Sequence, residues 1–465
     1  MADTYGYAPP IGAGSQINFA TDYKLVSLNF LSSGSSFDMR PAMIELCYSE
    51  DIFSNVISGY LYLIDSQGWI EKFQASGNEF LVMKFGKNDD LNYAISKTVR
   101  VYKVTKRDAR NEGNTETYSF YFCSEELLLS EQYKINKSYP NTNITTIIID
   151  ILTNQNLKMN VDATRIGTFQ QTYGYYSFII PNLKPFDAIN WLSTYAQTNL
   201  NPGADFVFFE NKDGFNFISL QSLYNTSSIG RFTFAPKNLS LKDNEGSLDT
   251  QLHNVMTFEI LDSYDKLESV NSGIFANNLL SVDILTRSYK NTSFNYENYV
   301  SNRNTKKLNA FDLVNNFANR NGDRISQTAN SVTKLVFSNF DSQNAEKVKQ
   351  NPGSVTQNIY AEVYVPYRTA QLQLLGHTRL KVTVAGNPDL TIGRVIEFSL
   401  LSKDPREKTT DKYYSGRYLI TAIKHMFTAE EYKCVMELSK ESSVGLYGSV
   451  DTSVPGMSDA IKGKS

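Results

Sequence analysis

Apolar and polar residues alternate in short runs over the first quarter of the chain, a period that predicts strands rather than helices. Residues 56–64 are β-branched and aromatic, with apolar side chains on both faces. Residues 80–85 follow a turn at Gly77-Asn78, and residues 98–106 and 117–123 read as a hairpin closed by the polar loop 108–114. In the return strand Tyr118, Phe120 and Phe122 share a face, because successive side chains alternate. Closely spaced strands that are apolar on both faces predict a barrel or sandwich.

The period then changes. Ile144, Ile147, Ile148, Ile151 and Leu152 repeat as one face of a helix that Thr142 or Asn143 can cap. Pro185 suits the first turn of a second helix, with Phe186, Ile189, Trp191, Leu192 and Tyr195 as its buried side. Residues 206–209 and 215–218 flank Asn211-Lys212-Asp213-Gly214, a strong hairpin signal. Residues 223–262 return to short strands. Residues 263–358 are polar, rich in Asn and Ser and weakly periodic, with a helix expected over 310–318 from Phe311, Val314 and Phe317. From residue 360 the pattern tightens: Pro366 opens an expected helix that Gly376 closes, and strands follow over 380–384, 394–400, 417–427 and 431–438.

The resulting fold class is α+β and mainly β. The domains expected are an arm over 1–17, a first β-barrel over 18–126 and a small α+β unit over 127–222. A second barrel is expected from 223–262 with 359–442, interrupted by an inserted domain at 263–358, and a frayed tail over 443–465. The two outer regions echo one another. Residues 77–85 resemble 393–400, and 99–106 with 118–125 resemble 418–425 with 432–441. A duplicated barrel would produce this order, but any two hairpins look alike at this level, so both readings stand here.

Composition narrows the chemistry. Lys+Arg 45 against Asp+Glu 48 leaves a net charge of -3, without the basic excess of a general nucleic-acid binder. The 3 Cys, at 47, 123 and 434, lie in strand-like apolar contexts and read as buried free thiols. No signal peptide or membrane-spanning run is evident, which is the expectation for a soluble chain made in a cytosol. His253, His377 and His425 lack a second ligand at metal spacing, no nucleophile elbow occurs, and Gly12-Ala13-Gly14 and Gly463-Lys464-Ser465 are fragments without context. No catalytic residue, metal ligand or cofactor is therefore assigned, and no interface residue is singled out. Glu125-Glu126 and Glu430-Glu431 read as solvated charges at strand ends. Alternation splits the basic run Arg100, Lys103, Lys106, Arg107 and Arg110 between two faces, as on a solvated hairpin edge. The 29 Tyr and 28 Phe suit strand packing and protein interfaces alike.

Residues 26–30, 43–46, 49–55 and 59–66, with Gly77-Asn78-Glu79, resemble the opening of baseplate hub proteins from contractile-tailed bacteriophages. Gly273-Ile274-Phe275-Ala276, Asp283 and Tyr296 resemble that family's inserted domain, and residues 386–393 and 414–420 with His425 its closing barrel. The resemblance covers most of 20–442. It implies two tube-type barrels per chain and a homotrimer whose six barrels form a pseudo-hexameric ring. The implied partners are a trimeric central spike, a tail tube or tube-initiator protein and the baseplate wedges, in the virion. DNA would pass through the bore without specific binding. The resemblance implies no enzyme and no membrane insertion. Two other classes remain to be weighed: a tail-borne glycan or cell-wall hydrolase using two of the many carboxylates, and a receptor-binding tail module.

Overall fold

A computed structural model describes residues 20–445, apart from residues 33, 74–75, 88–94, 110–114, 199–202, 235–250, 264, 284–286, 302–304, 313–332, 338–360 and 403–409. The expected arm, most of the expected tail and both glycine-containing fragments lie outside the described residues.

Seven strands come first: β1 (Lys24–Ser32), β2 (Ser35–Asp38), β3 (Met43–Asp51), β4 (Ser58–Asp65), β5 (Phe80–Gly86), β6 (Ile95–Ala109) and β7 (Glu116–Cys123). A middle unit follows, with β8 (Ile135–Thr142), β9 (Ile166–Phe169), β10 (Tyr176–Leu183), β11 (Phe206–Asn211) and β12 (Gly214–Ser219). Its two longest helices are Ile144–Thr153 and Pro185–Ser193, and Asn143 caps the first by accepting the Thr145 N–H at 3.0 Å. Then come β13 (Ser228–Phe234) and β14 (Val255–Asp262). The inserted stretch holds β15 (Ala276–Asp283), β16 (Ser288–Asn295), β17 (Phe311–Asp312) and β18 (Thr333–Phe337). The chain ends through the helix Ala361–Leu375, β19 (Thr378–Ala385), β20 (Val395–Leu400), β21 (Gly416–Thr428), β22 (Tyr432–Lys440) and β23 (Ser442–Ser443).

Thirteen of these strands form one sheet, in the order β2-β1-β5-β6-β7-β4-β3-β21-β22-β19-β14, with β20 on β21 and β13 on β20. The run β1-β5-β6-β7-β4-β3 has a counterpart in β13-β20-β21-β22-β19-β14. The register repeats as well as the order. In β6 the pairing with β7 shifts between Val101 and Lys103; in β21 the pairing with β22 shifts between Ile420 and Ala422. In β3 the pairing with β4 shifts between Met43 and Glu45; in β14 the pairing with β19 shifts between Val255 and Thr257. A bulge inserts one residue and re-aims the strand, so coincident bulges mark coincident backbone paths. The two runs differ at one end: β1 pairs antiparallel with β5, whereas β13 pairs parallel with β20.

The alternating residues expected to face inward do so. Tyr118, Phe120 and Phe122 are buried, as are Tyr432, Cys434, Met436 and Leu438. The middle unit has its own core around Ile147, Ile148, Phe178 and Ile189. Strand β11 joins the two cores by alternation: Phe206 and Phe208 face the middle unit, Val207 and Phe209 the large sheet.

Five expectations need correction. Pro366 does not open its helix; it lies inside Ala361–Leu375, where burial of Tyr367, Ala370 and Leu374 offsets the one missing backbone hydrogen bond. The helix expected over 310–318 does not begin: Phe311 and Asp312 instead pair with Ser443 and Ser442, and 313–318 lie outside the described residues. The expected tail therefore starts as an ordered, buried strand at Ser443. Glu125-Glu126 are not strand-end charges but open the helix Glu125–Gln132, and Glu126 is buried. In β6 a second register shift between Thr105 and Asp108 breaks the simple alternation of the basic run.

Candidate assembly surfaces

The halves of the large sheet meet along β21 and β3. Seven residues of β21, from Ala422 opposite Asp51 to Thr428 opposite Glu45, pair antiparallel with β3. The Ile52 N–H donates to the Thr421 carbonyl at 2.9 Å and extends the ladder. Because β20 pairs with Gly416–Leu419 and β3 with Ala422–Thr428, β21 changes partner along one edge at its bulge.

Aromatic side chains fill the space behind this seam. Phe427 of β21 stacks on Tyr432 at 4.1 Å and lies 4.3 Å from Phe85 of β5 and 5.2 Å from Tyr23. The Tyr23 hydroxyl donates to the Thr428 carbonyl at 2.5 Å. Gly386 closes the cluster, since a Cβ there would lie 2.1 Å from the Tyr432 ring. Pairs of this kind add about 0.5–1.5 kcal/mol each beyond their buried area.

A buried carboxylate inside the seam is well matched. Glu50 accepts from the Tyr48 hydroxyl at 2.8 Å, from the Thr391 hydroxyl and from the Ile392 N–H, so one carboxylate ties β3 to the turn before β20. Burial raises the Glu50 pKa against the lowering effect of those donors. His425 is fully buried, with Nδ1 2.7 Å from the Tyr432 hydroxyl; burial, with Lys212 nearby, holds its pKa down at about 3. This neutral imidazole is a structural group. His377 is likewise held down at about 4, by burial and then Lys440.

A second carboxylate fastens the middle unit to the first half. Glu210 of β11 accepts from the Ile57 N–H at 3.2 Å, from the Ser124 hydroxyl and from Arg165 at 2.8 Å, and Lys97 of β6 stands 3.6 Å away. Arg165 also holds Glu126. Sequence reasoning passed over Glu210, because its partners are brought together only by tertiary structure.

None of the sequence's chemical candidates converges on a reaction centre. Cys47, Cys123 and Cys434 are free and buried. Among the described residues no group of three or more His, Cys, Asp or Glu could hold a metal, and no helix is long and apolar enough to cross a membrane. Glu431 pairs with Lys433, and Arg107 with Glu116, both at the surface. A cavity of about 570 Å³ lies beside β14 and β19, lined by Asp51, Asp262, Glu268, His377, Arg379 and Glu437. Arg379 is shared between Asp262 and Glu437. The aromatics divide as composition suggested: Tyr48, Tyr118, Tyr418 and Tyr432 are buried, while Tyr102, Tyr173, Tyr175 and Tyr289 are exposed.

This fold, a strand run repeated within one large sheet, is shared with solved phage and prophage tail proteins. The chain superposes on the 43 kDa tail protein of prophage MuSo2 from Shewanella oneidensis with a TM-score of 0.52 at 8% identity, covering 89% of this chain and 98% of that one. A tail protein from Neisseria meningitidis MC58 gives 0.52 at 9% identity, covering 90% and 97%. In sequence the chain is 21% identical over 399 residues to a protein of Vibrio phage KVP40 named "Probable baseplate hub protein gp334", covering 84% of this chain and 88% of that protein. No protein-family model matches. The similarity is thus to proteins named as tail and baseplate hub components.

Proposed function

We infer that this chain is a structural hub of a contractile phage tail baseplate, assembled as a homotrimer. The observation that carries the reading is the repeated register: two runs of six strands with bulges at matching positions, joined edge to edge within one chain. Each run serves as one tube-type barrel domain, the first over 18–126 and the second from 223–262 with 359–442. Three chains then present six near-equivalent units, so a threefold object can meet a sixfold one without a symmetry clash. One end of this pseudo-hexameric ring seats the trimeric central spike, the other the tail tube or its initiator. The middle unit and the inserted segment face the wedge proteins. The bore lets DNA pass, which a net charge of -3 suits because a passage must not bind its cargo tightly.

The test is the mass and symmetry of the full-length protein. Light scattering should give a trimer, and negative-stain averages a ring with threefold symmetry and six lobes. A monomer at every concentration, alone and with purified tail tubes, would overturn the reading.

A further inference from the structure

One joint inside the chain has both of its halves present again, unjoined. Within the chain the half of β21 beyond its bulge pairs with β3. The register equivalence identifies the corresponding pieces. Lys424 opposes Val435 in β21–β22, and Thr105 opposes Ser119 in β6–β7 at the same distance past the bulge. Counted on the partner strands β4 and β19, Ser49 opposite Ser58 matches Asp262 opposite Arg379, although β14 has a further shift between Ile260 and Asp262 that β3 lacks. Since Lys424 faces Ser49 across the internal seam, Thr105 is the counterpart that would face Asp262.

Both counterparts have open edges among the described residues. β6 meets β5 only as far as Arg100, so its remaining half has β7 on one side alone. β14 is paired with β19 and ends the sheet. A bare edge is a template for another strand, blunted by proline, brevity, charge or bulges; β6 carries Lys103, Arg107 and a second register shift between Thr105 and Asp108, so its regular template past the first bulge is Lys103–Thr105. Neither segment contains proline, and β14 runs eight residues. Apolar side chains stand exposed along both, at Tyr102, Met256 and Ile260.

Charge supports the match. The internal seam sets Lys424 against a strand carrying Glu45, Glu50 and Asp51. The open half of β6 carries Lys103 and Arg107, and β14 carries Glu259 and Asp262; Arg107, Glu259 and Asp262 are already paired within the chain with Glu116, Lys381 and Arg379, so the match is one of edge sign, not of free charges. The signs repeat in the same sense. Two different edges of one chain that complement each other make a head-to-tail contact, which closes as a ring when the rotation allows.

We propose that β6 beyond its bulge pairs antiparallel with β14 of a second copy of this chain, with Thr105 opposite Asp262. The contact would reproduce between chains the β21–β3 seam within each chain. This rests on the trimeric reading but goes further, since a trimer could close through other surfaces.

The experiment uses the full chain with Thr105→Cys and Asp262→Cys together, oxidised and run without reductant. The expected result is a ladder ending at a covalent trimer, absent from either single variant. As a second measurement, Phe258→Pro and Glu259→Pro are made separately, because one of two adjacent N–H groups must point to the open edge. One of the pair should weaken association by about tenfold or more, with its circular dichroism spectrum unchanged. A wild-type trimer with no cross-link ladder and no response to either proline overturns the seam and leaves the trimer standing. A wild-type monomer overturns both.

Discussion

The first and second runs of the large sheet share order and bulges, yet they are finished differently. β21 has β22 on one side from Leu419 to Phe427 and β20, then β3, on the other, whereas among the described residues β6 loses its second neighbour past Arg100. β1 is antiparallel to β5, and β13 is parallel to β20. The difference teaches that the strand core of such a unit is fixed by its inward-facing side chains, while its margins answer to whatever abuts them. The second unit is bordered by the first through a buried aromatic seam; the first has a bare margin at the equivalent place.

Deleting the bulge residue tests this most severely. Removing Thr421 shifts one half of β21 by a residue and turns its side chains to the wrong face, between neighbours that hold both edges. We expect no soluble folded protein. Removing Tyr102 does the same to β6 where one edge is open, and should leave a folded but weakened protein, by circular dichroism and urea unfolding. Equal outcomes would contradict the asymmetry.

Glu210→Ala comes next. It leaves Arg165 and Lys97 without their shared carboxylate and the Ile57 N–H and Ser124 hydroxyl without an acceptor. Breaking a buried pair this way costs about 3–5 kcal/mol, and the loss should be read as a lower urea midpoint at unchanged slope.

Acid should act chiefly on the second half, which holds both buried histidines. The pKa values of His377 and His425 are depressed to about 4 and about 3 from 6.5. The unfolded chain therefore takes up protons below about pH 6.5 that the folded chain refuses. Stability is full above that pH and falls as pH drops towards 4, by about 1.4 kcal/mol per pH unit for each histidine. His425→Gln should flatten the fall between pH 6 and 4; an unchanged slope would remove this histidine from the account. The smallest effect is expected of Glu259→Ala in the separated chain, where an exposed pair with Lys381 contributes less than about 1 kcal/mol. A larger loss there, seen only where the protein is associated, would sharpen the contrast between bare and bordered margins.

Much of this was legible locally. The β11–β12 hairpin, the Asn143 cap and the inward rows of β7 and β22 follow from side-chain period and turn chemistry, which neighbouring residues alone determine. The echo between 99–106 and 418–425 was visible, but its register was not, because the one-residue break in alternation at a bulge reads the same as a strand buried on both faces, as β21 is around Ile420 and Thr421. What escaped depends on distant contacts. Pro366 signals a helix start until Tyr367 is seen buried against Gln221, whose amide donates to the Tyr367 hydroxyl at 2.6 Å. Glu126 signals a solvated end until Arg165 is brought to it. The β21–β3 seam joins segments nearly the whole chain apart, and no local pattern encodes which edge meets which.

The partner change along β21 has a mechanical consequence. A strand gripped by the second unit over its first residues and by the first unit over its last acts as a rivet through both plates. The chain passes from the first plate to the second through the whole middle unit, so what holds the plates together directly is the β21–β3 ladder, a row of backbone hydrogen bonds that must break together before they part. Load entering one plate is handed to the other through peptide geometry, so the pair should behave as a single stiff washer under axial pull.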